Sequence, residues 1–294
     1  MPRELPSWRS LLYVPATQPR FVEKAHTRGA DAIILDLEDA VAPGEKAAAR
    51  AALKAAVPMV RQKGPDGRGA DVCVRVNRPL ALAVPDIEAA VAAGADVLIL
   101  TKLLGPDHVG VLAEHVGEAE VAAGVPLGRT KLIGLVETAD SLPKLEAIAR
   151  ADDRLVGLSV GGEDLATDLG AQATPDALDL PKRMGLLAAR AAGILPMGFI
   201  GTVADITDLE GYRAMLRRSR AIGFACASCV HPSQVPIINE EYGASPEEIA
   251  RARRMVAAFQ EALARGQGAV AFEGQMIDEP VVARARNLLK RFGG

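Results

Sequence analysis

The stretch Ala32-Ile33-Ile34-Leu35-Asp36-Leu37-Glu38-Asp39, followed by the Ala-rich run Glu45–Val57, decides the fold of this chain. Ala32–Leu35 is apolar on every residue and too short for a helix, as expected of a strand covered on both faces. It ends in three acids, and the next periodic segment is helical. The same unit recurs. Ser10–Val14, Val72–Val76, Val97–Leu100, Leu132–Val136, Leu155–Val160, Met197–Ile200 and Phe224–Val230 read as further strands, with Ile87–Ala93, Leu142–Arg150 and Asp176–Ala192 among the intervening helices. Strand and helix in alternation imply parallel strands joined by right-handed crossovers. Eight such units predict an α/β fold, a closed (β/α)8 TIM barrel, over an open doubly wound sheet. The open sheet begins with a G-x-G-x-x-G turn, whereas the first turn here is Val14-Pro15-Ala16-Thr17.

The chain has 294 residues, beyond the roughly 250 of a typical barrel. The surplus falls at the end. Ser245-Pro246-Glu247-Glu248 is a capping-box pattern that starts a helix, and Gly266-Gln267-Gly268 is a break. The expected division is a barrel over 1–265 and a C-terminal helical arm or lid over 266–294, an extended piece and then a basic helix. Hydrophobic residues make up 49% of the chain and aromatics only 3%, so the core is expected to be aliphatic. The net charge of −3 is spread along the chain, without the basic stripe that a nucleic-acid partner requires. The opening residues MPRELPSWRS lack the apolar region of a secretory signal. Ala221–Asn239, the longest uncharged stretch, has a polar second half that is costly in hydrocarbon. A cytoplasmic protein without membrane contact is the expectation. Cys226 and Cys229 form C-x-x-C, but no second ligand pair accompanies them. Three residues apart on a strand, they face opposite ways.

Barrel chemistry belongs at the C-terminal ends of the strands. Read in order, those ends carry Asp36-Leu37-Glu38-Asp39, Arg75-Val76-Asn77, Thr101-Lys102, Glu137-Thr138, Gly161-Gly162-Glu163-Asp164 and His231-Pro232-Ser233-Gln234. Any one of these carboxylates is equally suited to a helix cap or a surface ion pair. Together they repel one another and call for a cation. Mg²⁺ is usually held by one or two carboxylates, with waters and substrate oxygens completing the octahedron. Glu137 and Asp164, on adjacent strands, are the best pair. Arg75 offers a planar fork to a carboxylate or an enolate, or to a strand-two acid inside the barrel. Lys102 is either a Schiff-base nucleophile or a cation balancing Asp36, Glu38 and Asp39, and so many acids favour the protonated form. His231 reads as a hydrogen-bonded structural imidazole, with a ligand role as the lesser reading.

The chain resembles the citrate lyase β-subunit and malyl-CoA lyase family, within the HpcH/HpaI aldolase/citrate lyase superfamily. The resemblance rests on Arg9–Pro15, Ile34–Val41, Arg75-Val76-Asn77, Glu137-Thr138, Gly162–Ala166 with Asp168-Leu169-Gly170, His231–Gln234 with Ile238-Asn239, and Gly274–Asp278. These motifs follow the family order along nearly the whole chain. Departures are Ala16, where a glycine is common, and Thr101, where a proline often precedes the lysine.

The resemblance implies Mg²⁺ (or Mn²⁺) on Glu137 and Asp164, with Glu38 and Asp39 holding metal-bound waters and Arg75 binding the substrate. It implies that Asp278 rides on a lid reaching a neighbouring subunit, as acid/base toward the acetyl methyl, in a homotrimer or hexamer. Arg20 and Lys24 would meet coenzyme A phosphates. The implied activity is a carbon–carbon lyase acting on a 3-hydroxy-3-carboxyacyl-CoA such as citramalyl-CoA or malyl-CoA, giving acetyl-CoA and a 2-oxo acid. A Schiff-base aldolase, an aldolase of free hydroxy-keto acids and a malate-synthase-like thioesterase remain alternatives. So does a non-enzymatic subunit that docks an acyl carrier protein or regulates a citrate lyase complex.

Overall fold

The computed structural model describes residues 4–65, 67–201 and 208–293. Eight parallel strands run in chain order: β1 Ser10–Pro15, β2 Ala32–Asp36, β3 Asp71–Val76, β4 Val97–Leu100, β5 Lys131–Val136, β6 Leu155–Val160, β7 Leu195–Met197 and β8 Ala227–Cys229. From β1 to β7 each strand pairs with the next in sequence, and β1 also pairs with β8. A parallel bridge between Met197 and Cys226 joins the two ends, with Gly198 N–H donating to Cys226 O at 2.8 Å. The sheet is therefore a (β/α)8 barrel. The helices between strands are α1 Pro19–Ala25, α2 Lys46–Val60, α3 Leu80–Ala93, α4 Pro106–Ala123, α5 Leu145–Ala149, α6 Glu163–Asp168, α7 Pro175–Ala192 and α8 Leu209–Ile222, with α9 Gln234–Glu241 after β8.

Alternation along each strand divides the apolar residues between two cores. Ile34, Cys73, Ile99, Ile133 and Met197 fill the barrel. Ile33, Leu35, Val74, Leu98 and Leu132 face the helices. Trp8 belongs to the inner core and donates from Nε1 to Asp71 at 2.7 Å. Cys229 belongs to the outer core and Cys226 to the inner one, so the C-x-x-C pair faces opposite ways, and all three cysteines are buried and none is in a disulfide. The seventh strand differs from expectation. It is Leu195–Met197, not Met197–Ile200, because Gly198 has φ 121° and turns the chain out of the sheet.

Contacts divide the chain into two compact units, Met1–Tyr242 and Gly243–Gly294. The second unit begins just before α10 Pro246–Ala264. In the second unit, Ser245 and Glu248 form the expected capping box of α10. β9 Ala269–Phe272 and β10 Gln275–Asp278 make an antiparallel hairpin, and α11 Glu279–Phe292 ends the chain. Ala252, Met255 and Phe259 pack with Ile277, Val282 and Ala285 as a separate small core. Among the described residues no helix is long and apolar enough to cross a membrane.

Candidate active site

The β2 exit is organised by Asp36. Its carboxylate, 1% exposed, accepts the backbone N–H of Glu38 at 2.9 Å and of Ala40 at 3.2 Å, which fixes the turn after the strand. Across the sheet, Asp36 is paired in register with Arg75 of β3. The guanidinium meets it as a fork, Nε to Oδ1 at 2.8 Å and Nη2 to Oδ2 at 2.6 Å. Arg75 also stacks over the Tyr13 ring, 4.8 Å from its centroid, and its Nη1 lies 2.9 Å from Glu38 and 3.2 Å from Asp39. Most of its donors are thus taken by the strand-two acids. Asp36 is the anchor of the arginine, not one more loose carboxylate.

Lys102 follows β4 with φ 49°, a left-handed backbone that only a few per cent of non-glycine residues adopt. This conformation lets one residue reach two ways. Its backbone N–H donates to Glu137 Oε2 at 3.0 Å, while its Nζ lies 2.6 Å from Glu38, 3.5 Å from Asp39 and 3.4 Å from Asp164. Burial opposes its charge, but the hydrogen bond and charge of Glu38, aided by Glu137 and Asp39, raise its pKa above the usual lysine value. Lys102 is a protonated bridge among acids.

Glu137 leaves β5 into the same space and is 5% exposed. Burial first, then the charges of Glu38 and Asp164, push its carboxyl up to about 8 against the opposing pull of Lys102. Gly161 at the β6 exit gives it room, since a Cβ there would come within 2.6 Å of Glu137 Cγ. Asp164 sits in the first turn of α6. Asp36, Asp39, Arg75, Glu137 and Asp164 all line one cleft of about 490 Å³.

Five carboxylates, Asp36, Glu38, Asp39, Glu137 and Asp164, face the two cations Arg75 and Lys102. The excess of negative charge, and a buried glutamate that resists ionising, fit a divalent cation beside Glu137 and Asp164. Among the described residues no three His, Cys, Asp or Glu side chains converge as a ligand set. Mg²⁺ usually takes one or two protein carboxylates, with water and substrate oxygens completing its shell.

Other expected residues lie elsewhere. Arg20 and Lys24 are on the exposed face of α1, Arg20 stacked over Phe21, and neither lines the cleft. The His231 imidazole takes the structural role, with Nδ1 2.7 Å from the Ser233 hydroxyl and accepting the Ser233 N–H at 3.2 Å. Asp278, in the second unit, caps α11 by accepting the N–H of Val281 at 3.3 Å. Cleft residues that the strand-end reading did not name include Tyr13, beneath Arg75, and Lys182, on α7. Lys182 was detectable as a charged residue on the apolar stripe of its helix, with Leu178, Leu186 and Ala189.

A (β/α)8 barrel with carboxylates and two cations at the C-terminal ends of its strands has the layout of the barrel enzymes, whose chemistry sits at that face. Within that class, the chain belongs to the HpcH/HpaI aldolase/citrate lyase family, which its residues 9–232 match. It is 34% identical over 288 residues to the citrate lyase subunit beta of Leuconostoc mesenteroides subsp. cremoris, covering 96% of this chain and 92% of that one. It is 36% identical over 287 residues to a (3S)-malyl-CoA thioesterase of Cereibacter sphaeroides, covering 97% and 94%. Among solved structures it resembles the protein CitE from Mycobacterium tuberculosis in complex with magnesium, acetoacetate and coenzyme A. That match has a TM-score of 0.75 and 35% identity, over 97% of this chain and 98% of the other.

Proposed function

We propose that this protein is a Mg²⁺-dependent carbon–carbon lyase that cleaves a 3-hydroxy-3-carboxyacyl-CoA, such as citramalyl-CoA or malyl-CoA, to acetyl-CoA and a 2-oxo acid. The observation that carries the reading is the buried, ionisation-resistant Glu137 sharing a cleft with Asp164, beside cations held in place by Glu38, Asp39 and Asp36. Glu137 and Asp164 would hold the ion, with Glu38 and Asp39 orienting waters beside it. A divalent cation, when bound, lowers the pKa of the substrate hydroxyl and polarises the carbonyl that forms from it.

In the reaction, the C3 hydroxyl gives its proton to a water oriented by Glu38 and Asp39, the C2–C3 bond breaks, and the electron pair leaves as the enolate of acetyl-CoA. Arg75, immobilised by Asp36 and Tyr13, offers a preorganised charge where that enolate develops. Lys102 keeps Glu38 and Asp39 in place and adds a second positive charge. The enolate then takes a proton at C2, a step for which Asp278 of a neighbouring subunit in a homotrimer or hexamer is the proposed donor. The protonated state of Lys102 disfavours a Schiff-base route, so borohydride with pyruvate should leave it unmodified.

A second reading has specific support in the malyl-CoA thioesterase relative. A thioesterase releases free coenzyme A and a hydroxy diacid, whereas a lyase releases acetyl-CoA and glyoxylate or pyruvate. Incubation of the purified protein with each thioester and Mg²⁺, with separate quantification of free thiol and 2-oxo acid, distinguishes them. The lyase reading expects 2-oxo acid equal to thioester consumed, and no turnover in Glu137→Ala or Asp164→Ala. Full activity in excess EDTA would remove the metal from the mechanism.

A further inference from the structure

The wall of the cleft beyond Glu137 is formed by the ends of β6, β7 and β8, and it holds a cation that the proposed reaction has not used. Lys182 projects from α7 and is 6% exposed. Its Nζ donates to two main-chain carbonyls, Phe199 O at 3.0 Å and Gly201 O at 2.5 Å, and lies 5.2 Å from the centroid of the Phe199 ring. Carbonyls carry no charge, so both bonds orient the ammonium without neutralising it. The carboxylate that acts on it, Glu163, is an exposed residue outside ion-pair distance. Burial, with only that weak opposition, draws the Lys182 pKa down to about 8.

An almost fully buried ammonium with no counter-charge at ion-pair distance among the described residues is costly unless something anionic visits it. Of its three N–H donors, two are occupied among the described residues. Two hydroxyls on the same wall are in a similar state. Ser159 of β6 and Ser228 of β8 both line the cleft, and neither hydroxyl forms a hydrogen bond to another described residue. Gly198, at φ 121°, lines the same cleft without a side chain. One cation and two hydroxyls without a hydrogen-bond partner among the described residues therefore line a single cleft, a donor set that matches the two oxygens of a carboxylate.

We propose that Lys182 is a substrate-binding residue that receives the free carboxylate of the 2-oxo acid, with Ser159 and Ser228 as supporting donors. The inference rests on the lyase reading above and gives it a polarity across the cleft. The acyl portion lies toward Arg75 and Tyr13, and the 2-oxo acid lies toward β6 to β8. The two carbonyl bonds make Lys182 a fixed post, so little side-chain freedom is lost when the anion arrives.

The test is calorimetric binding of pyruvate and of glyoxylate to the whole protein with Mn²⁺, for wild type, Lys182→Met and Lys182→Arg. Mn²⁺ affinity is read by electron paramagnetic resonance, and Tm is read in parallel. A lost charge-assisted hydrogen bond predicts that Lys182→Met binds either acid about ten- to a hundredfold more weakly. Mn²⁺ affinity and Tm should stay near wild type, and Lys182→Arg should recover part of the loss. Unchanged binding in Lys182→Met overturns the inference. So does a loss of 2-oxo acid together with Mn²⁺ or with Tm, which makes Lys182 a support for the Phe199–Gly201 wall alone. If wild-type protein with Mn²⁺ binds neither acid, it is the lyase reading that falls.

Discussion

Lys102 and Glu137 are coupled through the main chain: the Lys102 N–H donates to Glu137 Oε2 at 3.0 Å, from a residue held at φ 49°. A non-glycine residue in this region carries a strain of about 1 kcal/mol or more, here spent on aiming one N–H at a buried carboxylate. Lys102→Gly relieves the strain and keeps the N–H, whereas Lys102→Ala keeps the strain. Both remove the Nζ that bridges Glu38, Asp39 and Asp164. The expected outcome is a glycine variant more stable than the alanine variant by about 1 kcal/mol in urea unfolding. Both variants should lose most of their turnover. An alanine variant as stable as the glycine one would mean that the left-handed turn at Lys102 carries no strain.

Glu137 sets function against stability. Its folded-state pKa of about 8 lies above the ordinary value of 4.5. In metal-free protein the folded state therefore binds more protons than the unfolded one, and stability falls as pH rises from about 4.5 to about 8. Glu137→Gln keeps an acceptor for the Lys102 N–H and removes the charge. The metal-free variant is expected to exceed wild type by about 2 kcal/mol near pH 8 and to lose this advantage near pH 4. With saturating Mg²⁺ the order should reverse, because only wild type gains binding energy. Thermal unfolding of both proteins with and without Mg²⁺ checks this. A variant that Mg²⁺ stabilises as much as wild type would place the ion elsewhere.

The β/α alternation and the mouth of the barrel were legible because both follow from short-range pattern. A buried strand must be apolar, and the first polar residue after it sits at the rim, so Asp36, Glu38, Glu137 and Lys102 could be found one by one. Elements without punctuation were harder. Ile194–Ile200 is apolar apart from Pro196 and Gly198, and nothing local marks Leu195–Met197 as the paired segment. Helix α3 starts at Leu80, seven residues before the expected Ile87, because Pro85 reads as a breaker yet is accommodated within its early turns. Pairing was illegible for a different reason. That Asp36, not Asp39, takes the fork of Arg75 depends on β2–β3 register. That Lys182 reaches the cleft depends on how α7 packs against β6 and β7, which a single chain of letters does not encode locally.

Acid stability should depend on a second carboxylate, away from the cleft. Glu120 of α4 is fully buried and accepts four N–H groups: Thr130 N at 2.6 Å, Gly128 N at 2.7 Å, and Arg154 Nη1 and Nη2 at 3.0 and 2.9 Å. Burial raises its pKa, but Arg154 and the two backbone donors outweigh it, and the net shift is below 4.5. A depressed carboxyl contributes stability that is present above the unfolded value and is lost as pH falls through the folded one. Glu120→Gln is expected to cost about 3 kcal/mol at neutral pH and to flatten the decline of stability below about pH 4.5. Urea titrations at pH 7, 5 and 4 provide the comparison. Parallel curves for variant and wild type across the acid range would remove Glu120 from the linkage.

The space given to Glu137 by Gly161 separates metal binding from folding more sharply than any charge removal. A Cβ at Gly161 would meet Glu137 Cγ at 2.6 Å and Oε1 at 2.8 Å, and the three atoms nearest to it all belong to Glu137. The backbone at Gly161 is not left-handed, so alanine is tolerated there once Glu137 moves. In the proposed metal site, the displaced carboxylate would no longer share an ion with Asp164. Gly161→Ala is therefore expected to fold, with a stability change of about 1 kcal/mol, while Mn²⁺ affinity and turnover fall at least tenfold. Gly157→Ala is the matched control. It places a Cβ 2.5 Å from Met197 Sδ inside the barrel, where a flexible thioether gives way, so it should affect stability and leave Mn²⁺ affinity intact. Electron paramagnetic resonance titration of both variants reads the contrast directly. If Gly161→Ala binds Mn²⁺ as tightly as Gly157→Ala, Glu137 is not a ligand, because its carboxylate was moved and the ion stayed.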